Sequence, residues 1–170
     1  MTAPAPTKVL VVLGSDSDLQ VMAPCLELLR QFEVPNELRV CSAHRSPLAA
    51  HELAAGARDR GFGVVIAAAG GAAHLAGTIA ALTILPVIGV PLASSPIGGL
   101  DALYATVQMP PGVPVATVSI GDWGARNAAV LAAQILALGD PALADRLAAY
   151  KQQLADQVAR KDRSLRGEKA

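Results

Sequence analysis

Three short segments of the chain hold the side chains whose types and spacing could carry out chemistry. They are residues 14–18 (GSDSD), 42–45 (SAHR) and 70–74 (GGAAH). Their hydroxyls, an arginine guanidinium and the backbone N–H groups of small residues can donate hydrogen bonds to an anion such as a phosphate ester. The two imidazoles can take up and release protons, because an unperturbed histidine titrates at about pH 6.5. Together the segments predict a pocket for a phosphate monoester with an acid or base beside it.

Two of these segments also have a purely structural interpretation. A glycine-containing turn followed by a helix N-cap would explain residues 14–18, and a lone histidine among glycines and alanines is often a hydrogen-bonded core residue. Packing explains the adjacent His44 and Arg45 less well, because the chain has so few charges. Residues 14–18 match neither GxGxxG nor GxxxxGK[ST], which argues against dinucleotide and P-loop sites.

Other catalytic motifs find little support in the sequence. No third metal-ligating side chain joins the two imidazoles at a recognisable spacing, so no metal is predicted. A serine nucleophile in residues 14–18 would need a GxSxG turn and an acid–histidine pair, and neither is present. His51 precedes Glu52, but an HExxH zinc motif would need a histidine where Ala55 stands. His51 is therefore expected on the solvated face of a helix.

Apolar runs of strand length alternate with helical patterns and position the three segments. The run 63–69 is continuous, which is typical of a strand buried on both faces of a parallel sheet. The predicted strands are 8–13, 37–41, 63–69, 87–90 and 115–119, and the predicted helices are 16–32, 47–60, 72–83, 122–138 and one after Pro141. This alternation predicts a three-layer α/β domain with a five-stranded parallel sheet in the flavodoxin-like order 2-1-3-4-5. The segments follow strands one, two and three, so they would meet at one edge of the sheet, where such folds bind ligands.

The length of 170 residues fits one domain, 1–170, with a folded core and C-terminal helix over about 8–160 and a tail at 161–170. An apolar stripe on the last helix is formed by Leu143, Leu147, Tyr150, Leu154 and Val158. Residues 151–170 contain six basic and three acidic side chains, so the end of the chain is expected to be solvated or docked on a neighbouring molecule.

Composition excludes several classes of protein. The chain is 52% hydrophobic and 16% charged, which is far from the composition of disordered chains. Fourteen basic residues balance fourteen acidic ones, so there is no basic field for a nucleic acid. Residues 61–121 carry one charge, at Asp101, and are expected to be core or to face another subunit. Glycines and prolines interrupt that stretch, so no membrane span is predicted.

The N-terminus and the cysteines predict the compartment. Residues 1–7 lack the basic and apolar regions of a signal peptide, which predicts a cytoplasmic protein. Cys25 and Cys41 are too far apart for a CxxC pair and too few for a disulfide framework. Both are expected to be buried small apolar residues.

Longer segments around these residues resemble the bacterial N5-carboxyaminoimidazole ribonucleotide mutases of purine biosynthesis, the PurE class I family. The similarity runs in one register from about residue 8 to 150. The matching segments are GSDSD (14–18), SAHR followed by Pro47, AGGAAHL (69–75), PVIGVP (86–91), LDALYATVQMPPGVPVATV (100–118) and NAAVLAAQIL (127–136).

The resemblance implies a homo-octamer whose sites are shared between subunits, and an isomerisation that uses no cofactor. The carboxylate on N5 of the ribonucleotide would move to C4 of the imidazole by release and recapture of CO2. His44 would be the acid and base, and Asp18 would hold the ribose. The residues implied at the phosphate are Ser15, Ser17, Ser42 and Arg45, and those implied at the base and carboxylate are Gly70, Gly71, Ala72, His74 and Leu75.

Two other functions stay open beside this one. The family's other branch carboxylates aminoimidazole ribonucleotide directly with CO2 and lacks the GGAAHL form of the third segment, so His74 and Leu75 favour the mutase. A non-catalytic flavodoxin-like module for a phosphorylated ligand or flavin would have no use for His44. A flavin site would also want aromatic stacking, for which the chain offers little beyond Trp123 and Tyr104.

Overall fold

Residues 8–167 are described by the computed structural model, in which five parallel strands form one sheet in the order β2-β1-β3-β4-β5. The strands are β1 Lys8–Leu13, β2 Asn36–Val40, β3 Phe62–Gly70, β4 Val87–Leu92 and β5 Ala116–Thr117. The helices are α1 Leu19–Gln31, α2 Pro47–Ala55, α3 Leu75–Ala80, α4 Leu100–Val107, α5 Asp122–Ala137 and α6 Pro141–Leu165, with a short 3-10 turn at Asp16–Asp18. The predicted three-layer α/β fold and its strand order are confirmed.

Each face of the sheet is covered by its own apolar core, because successive side chains of a strand point to opposite faces. On β1, Val9, Val11 and Leu13 pack with α1, α5 and α6, while Leu10 and Val12 pack with α2 and α3. All five side chains are fully buried. The central strands are therefore held on both sides, which fixes the positions of the loops that follow them.

Two helices are shorter than the sequence predicts. The helix predicted for 47–60 ends at Ala55, and Gly56 donates its N–H to the Glu52 carbonyl as the chain turns toward β3. The turn closes at Gly61, whose φ of +83° is one that glycine adopts at little cost. The helix predicted for 72–83 spans only Leu75–Ala80. Before it, the N–H groups of Ala73 and His74 close tight turns onto the carbonyls of Gly71 and Ala72, and after it the Leu82 N–H closes a turn onto the Ile79 carbonyl.

The segment between β4 and β5 contains a helix, α4, that the sequence pattern did not predict. Glycines lie just before it and prolines just after it, so its eight residues are too few for a clear helical period. β4 also continues beyond the predicted end, through Pro91 to Leu92. The Pro91 carbonyl faces the β5 side of the sheet and accepts from the Gly121 N–H, beyond the end of β5. The N–H that proline lacks would face the same side, so its absence removes no hydrogen bond from the β4–β5 ladder.

The last helix is docked at its start and exposed at its end. Leu143 and Leu147 are buried, and Tyr150 makes an edge-to-face contact with Phe32 at 5.1 Å between ring centroids. Leu154 and Val158 are exposed, so the predicted apolar stripe has no cover in its second half within residues 8–167. The helix continues to Leu165, into the predicted tail.

Three smaller expectations concern the cysteines, the membrane and the chain ends. Cys25 and Cys41 are buried as predicted, and burial raises the pKa of the Cys25 thiol to about 12. Among residues 8–167, no helix combines the length and apolar character that crossing a membrane requires. The signal-peptide expectation for residues 1–7 and the final part of the tail, 168–170, lie outside the described residues.

Candidate active site

The loops after β1, β2 and β3 meet at the carboxyl edge of the sheet and enclose a cleft of about 320 Å³. β1 lies between β2 and β3, so the three loops are neighbours. The lining residues are Gly14, Ser15, Ser17, Asp18, Ser42, Ala43, His44, Arg45, Ala69, Gly70, Ala72, His74, Leu75 and Ser94. Every side chain that the sequence singled out for this site lines the cleft, and only Gly71 among the named residues does not.

The first loop is a helix cap whose polar groups also line the cleft. The Ser15 hydroxyl accepts from the Ser17 N–H at 3.4 Å, and the two serine hydroxyls lie 2.9 Å apart. The Ser15 N–H donates to Asp18 Oδ2 at 3.0 Å, which completes a capping box. The structural and the functional interpretations of residues 14–18 are therefore compatible.

Asp18 is the buried carboxylate of the cleft, with 7% of its surface exposed. Burial raises the pKa of its carboxyl group above the ordinary value of 3.8, and the charge of Asp16 acts in the same direction. The Ser15 N–H and the Arg45 guanidinium oppose that rise. A buried acceptor with few donors around it is suited to bind the hydroxyls of a ligand.

The second loop holds Arg45 against the first loop. Its Nη2 donates to the Gly14 carbonyl at 3.2 Å, and its Nε donates to the Ser42 hydroxyl at 3.4 Å. Ser46 stabilises the loop, because its hydroxyl donates to the Ser42 carbonyl and accepts from the Ser42 N–H. Within residues 8–167 Arg45 forms no salt bridge, so its positive charge is left to attract an anion in the cleft.

The third loop brings His74 to His44. Nε2 of His44 and Nδ1 of His74 lie 2.9 Å apart, and the rings meet edge to face at 82°. One of these nitrogens carries the proton of the hydrogen bond and the other accepts it. When His44 donates, its Nδ1 is free to take a proton, and when His74 donates, the Nδ1 of His44 carries a proton that it can give. The pair can therefore serve as base and acid in turn.

His51 lies away from this pair, exposed on α2 as predicted. Gly71 has a structural role and does not line the cleft. Its positive φ turns the third loop so that Ala73 and His74 follow in tight turns.

Sequence reasoning missed one polar residue of the cleft, Ser94. It lies two positions beyond the end of β4, whose Leu92 pairs with Gly70 of β3. The rule that located the other loops, that ligands bind beyond the carboxyl ends of parallel strands, would have found it if applied to the fourth strand.

The cleft has two chemically different ends. Ser15, Ser17, Ser42 and Arg45 offer hydroxyl and guanidinium donors at one end. The other end has small apolar residues around the imidazole pair, with Gly70, Ala72 and Leu75 among them. The first end is suited to a phosphate, and the second places the imidazole pair among small residues that let a ligand pack closely against it.

Comparison with known proteins identifies the family. The sequence model described as AIR carboxylase matches residues 8–157. The chain is 54% identical over 155 residues to a Mycobacterium tuberculosis protein named N5-carboxyaminoimidazole ribonucleotide mutase, covering 91% of this chain and 88% of that one. A Pyrococcus abyssi protein of the same name is 52% identical, covering 86% of this chain and 83% of its own length.

A solved structure agrees with this result. The crystal structure of Treponema denticola PurE superposes with a TM-score of 0.83 at 28% identity, covering 93% of this chain and 98% of that one. The sequence similarity extends over almost all of the described residues, and the three cleft loops fall within it. The chain belongs to the AIR carboxylase family.

Proposed function

We propose that the chain is an N5-carboxyaminoimidazole ribonucleotide mutase, an isomerase that moves a carboxyl group from N5 to C4 of its substrate. Relatives that are 54% and 52% identical carry this name. The observation in the structure that supports it best is the 2.9 Å hydrogen bond between His44 and His74 in the cleft that also contains Arg45. A ligand-binding module would gain nothing from such a proton-exchanging pair.

The proposed reaction balances with one acid–base residue. The N5–carboxyl bond breaks as His44 gives a proton to the nitrogen, which yields CO2 and aminoimidazole ribonucleotide. C4 then attacks CO2 and forms the new carbon–carbon bond. His44 takes the proton that C4 loses, so the residue ends as it began. The sum is an isomerisation that consumes no ATP and needs no oxidant, metal or organic cofactor.

The two ends of the cleft would divide the substrate between them. The hydroxyls of Ser15, Ser17 and Ser42 and the guanidinium of Arg45 would hold the phosphate, because charge-assisted hydrogen bonds are the strong ones. The Asp18 carboxylate would accept from the ribose hydroxyls. The third loop, with Gly70, Gly71, Ala72, His74 and Leu75, would enclose the base and the migrating carboxyl group.

The small residues of the third loop suit the retention of CO2. Gly70 and Ala72 line the cleft with little bulk, and Leu75 is buried. A substrate that packs closely against them would leave no room for water, which would otherwise hydrate CO2 or let it escape. His74 would orient His44 and the base in this dry end.

The molecule as a whole would be one domain that assembles into a homo-octamer with sites shared between subunits. Large apolar side chains are exposed around α4 and at the start of α5, namely Ile97, Leu100, Tyr104, Val107 and Trp123. An exposed apolar surface of this kind is typical of a subunit interface. We place the enzyme in the cytoplasm, because its phosphorylated substrate is charged and does not cross membranes.

The proposed substrate is tested by supplying each candidate separately. N5-carboxyaminoimidazole ribonucleotide should be converted to 4-carboxy-5-aminoimidazole ribonucleotide without added bicarbonate or ATP. Efficient turnover only with aminoimidazole ribonucleotide at high CO2 would instead identify a direct carboxylase. A purified protein with the colour of a bound flavin, and no turnover of either nucleotide, would favour the binding module.

A further inference from the structure

The end of the cleft proposed to hold the migrating carboxyl group has few side-chain donors in the three loops. Gly70, Ala72 and Leu75 have none, and the His44–His74 hydrogen bond already uses one nitrogen of each ring. A carboxylate has two oxygens and about four acceptor positions, and it is costly to remove from water without donors. The backbone N–H groups of the third loop can supply some of these donors, and a side-chain hydroxyl at this end would add another.

Ser94 is in the place where such a donor would act. β4 pairs in parallel with β3, with Ala69 opposite Pro91 and Gly70 opposite Leu92, so the loop after β4 begins beside Gly70. A Cβ atom on Gly70 would overlap the Ser94 hydroxyl oxygen and lie 2.8 Å from the Ser94 Cβ. The Ser94 side chain thus fills the space that glycine leaves open at the floor of the cleft.

The hydroxyl of Ser94 is not used by the fold. Among residues 8–167 it has no hydrogen-bond partner, whereas the hydroxyls of Ser15, Ser17 and Ser42 are all tied into their loops. Ser94 is exposed and lines the same cleft as both imidazoles. A hydroxyl that can rotate freely in a binding cleft can donate to whichever ligand oxygen approaches it.

We infer that the Ser94 hydroxyl donates a hydrogen bond to the carboxylate that the substrate carries, and so distinguishes carboxylated from uncarboxylated nucleotide. This inference rests on the proposed mutase function. It adds a binding residue from a fourth strand end to a site built from three. It also gives a reason for glycine at position 70, because any larger residue there would displace the hydroxyl.

The test compares the affinities of two nucleotides by calorimetry, using full-length variants. The ligands are 4-carboxy-5-aminoimidazole ribonucleotide and aminoimidazole ribonucleotide, which differ by the carboxylate alone. Ser94→Ala should weaken the carboxylated ligand about tenfold to a hundredfold, the range for a hydrogen bond to a charged group, and change the other less than about twofold. Ser94→Thr should keep most of the affinity for the carboxylated ligand. Ser94→Val should lose it, because valine has the shape of threonine but no hydroxyl.

Ser95→Ala is the matched control. The Ser95 hydroxyl is buried without a partner among the described residues, and Ser95 does not line the cleft. Its removal should leave both affinities unchanged.

Three results would overturn the inference. Affinities of Ser94→Ala within about twofold of the parent for both ligands would show that the hydroxyl binds neither. Equal losses for both ligands would assign it to the part that they share, and equal affinities for Ser94→Thr and Ser94→Val would assign the effect to side-chain shape. A parent that binds neither nucleotide would instead refute the proposed function, and the inference with it.

Discussion

At the scale of single residues, the central feature is the hydrogen bond between His44 and His74. The two ring nitrogens lie 2.9 Å apart, so the protonation of one imidazole determines whether the other donates or accepts in this hydrogen bond. Within the described residues that line the cleft, no cysteine, lysine or tyrosine could take over the proton transfer. The reaction proposed here therefore depends on this pair.

His44→Asn should bind the nucleotide product but lose turnover. Asparagine keeps the approximate size and some hydrogen bonding of histidine, but it does not titrate. General acid–base groups contribute about 10² to 10⁴ in rate, so kcat should fall by that range. His74→Asn should be milder, because His74 orients its neighbour. His51→Asn, on the exposed face of α2, is the control and should match the parent. A His44→Asn rate within about tenfold of the parent would refute the acid–base assignment.

Asp18 supplies a prediction about pH. Burial raises the pKa of its carboxyl group above 3.8, so the unfolded chain loses this proton at a lower pH than the folded chain does. The ionised carboxylate therefore destabilises the folded state, and this destabilisation increases as the pH rises from 3.8 through the pKa of the folded state. The stability of Asp18→Asn relative to that of the parent should therefore be higher near neutral pH than at about pH 4.

Urea unfolding at several pH values measures that difference. Asp145→Asn, on the exposed side of α6, controls for the loss of one negative charge. Asp18→Asn should also weaken nucleotide binding, since an amide accepts less strongly than a carboxylate. A stability difference that shrinks as the pH rises would contradict the burial of an ionisable Asp18.

At the scale of helices and strands, α5 packs through a row of small residues. Ala125, Ala128, Ala129, Ala132 and Ala133 are all fully buried against the sheet and its neighbouring helices. Gly124 lies against the backbone of Ser119, because a Cβ atom on Gly124 would overlap the Ser119 carbonyl oxygen and lie 2.8 Å from the Ser119 carbonyl carbon. Backbone atoms cannot move aside as a flexible side chain can.

Gly124→Ala should therefore destabilise the fold by about 1–3 kcal/mol, the usual cost of overpacking. For a chain of this size each kcal/mol shifts the melting temperature by about 2–4 °C. Gly139→Ala is the control, since the nearest atom to its Cβ would be the Leu136 carbonyl oxygen at 4.0 Å. The control should melt at or above the parent temperature, and a Gly124→Ala variant that melts with it would contradict the packing described.

The elements also show where sequence reasoning succeeds and where it stops. The strands β1 and β3 are continuous apolar runs, and their order and the convergence of their loops follow from general rules of parallel sheets. α4 was missed because eight residues between glycines and prolines show no clear period. The loop turns depend on φ values such as that of Gly71, and the His44–His74 contact joins residues 30 positions apart, so neither can be predicted from local pattern.

At the scale of the whole molecule, the exposed apolar side chains predict assembly. Leu100, Tyr104 and Val107 lie on α4, and Trp123 is 75% exposed at the start of α5. Light scattering at micromolar concentration should give a mass about eight times 17.3 kDa. Val107→Asp, which places a charge within this surface, should reduce that mass. A parent that is monomeric under these conditions would refute the octamer.

The most direct test of the mutase assignment follows the carboxyl carbon itself. The parent enzyme is given substrate labelled with carbon-13 in the N5 carboxyl group, in buffer containing unlabelled bicarbonate, and the product is analysed by mass spectrometry. If CO2 is released and recaptured within the cleft before it can exchange with bicarbonate, most of the product carries the label at C4. A product that carries only unlabelled carboxylate would mean that CO2 comes from solution, and would contradict the mutase assignment.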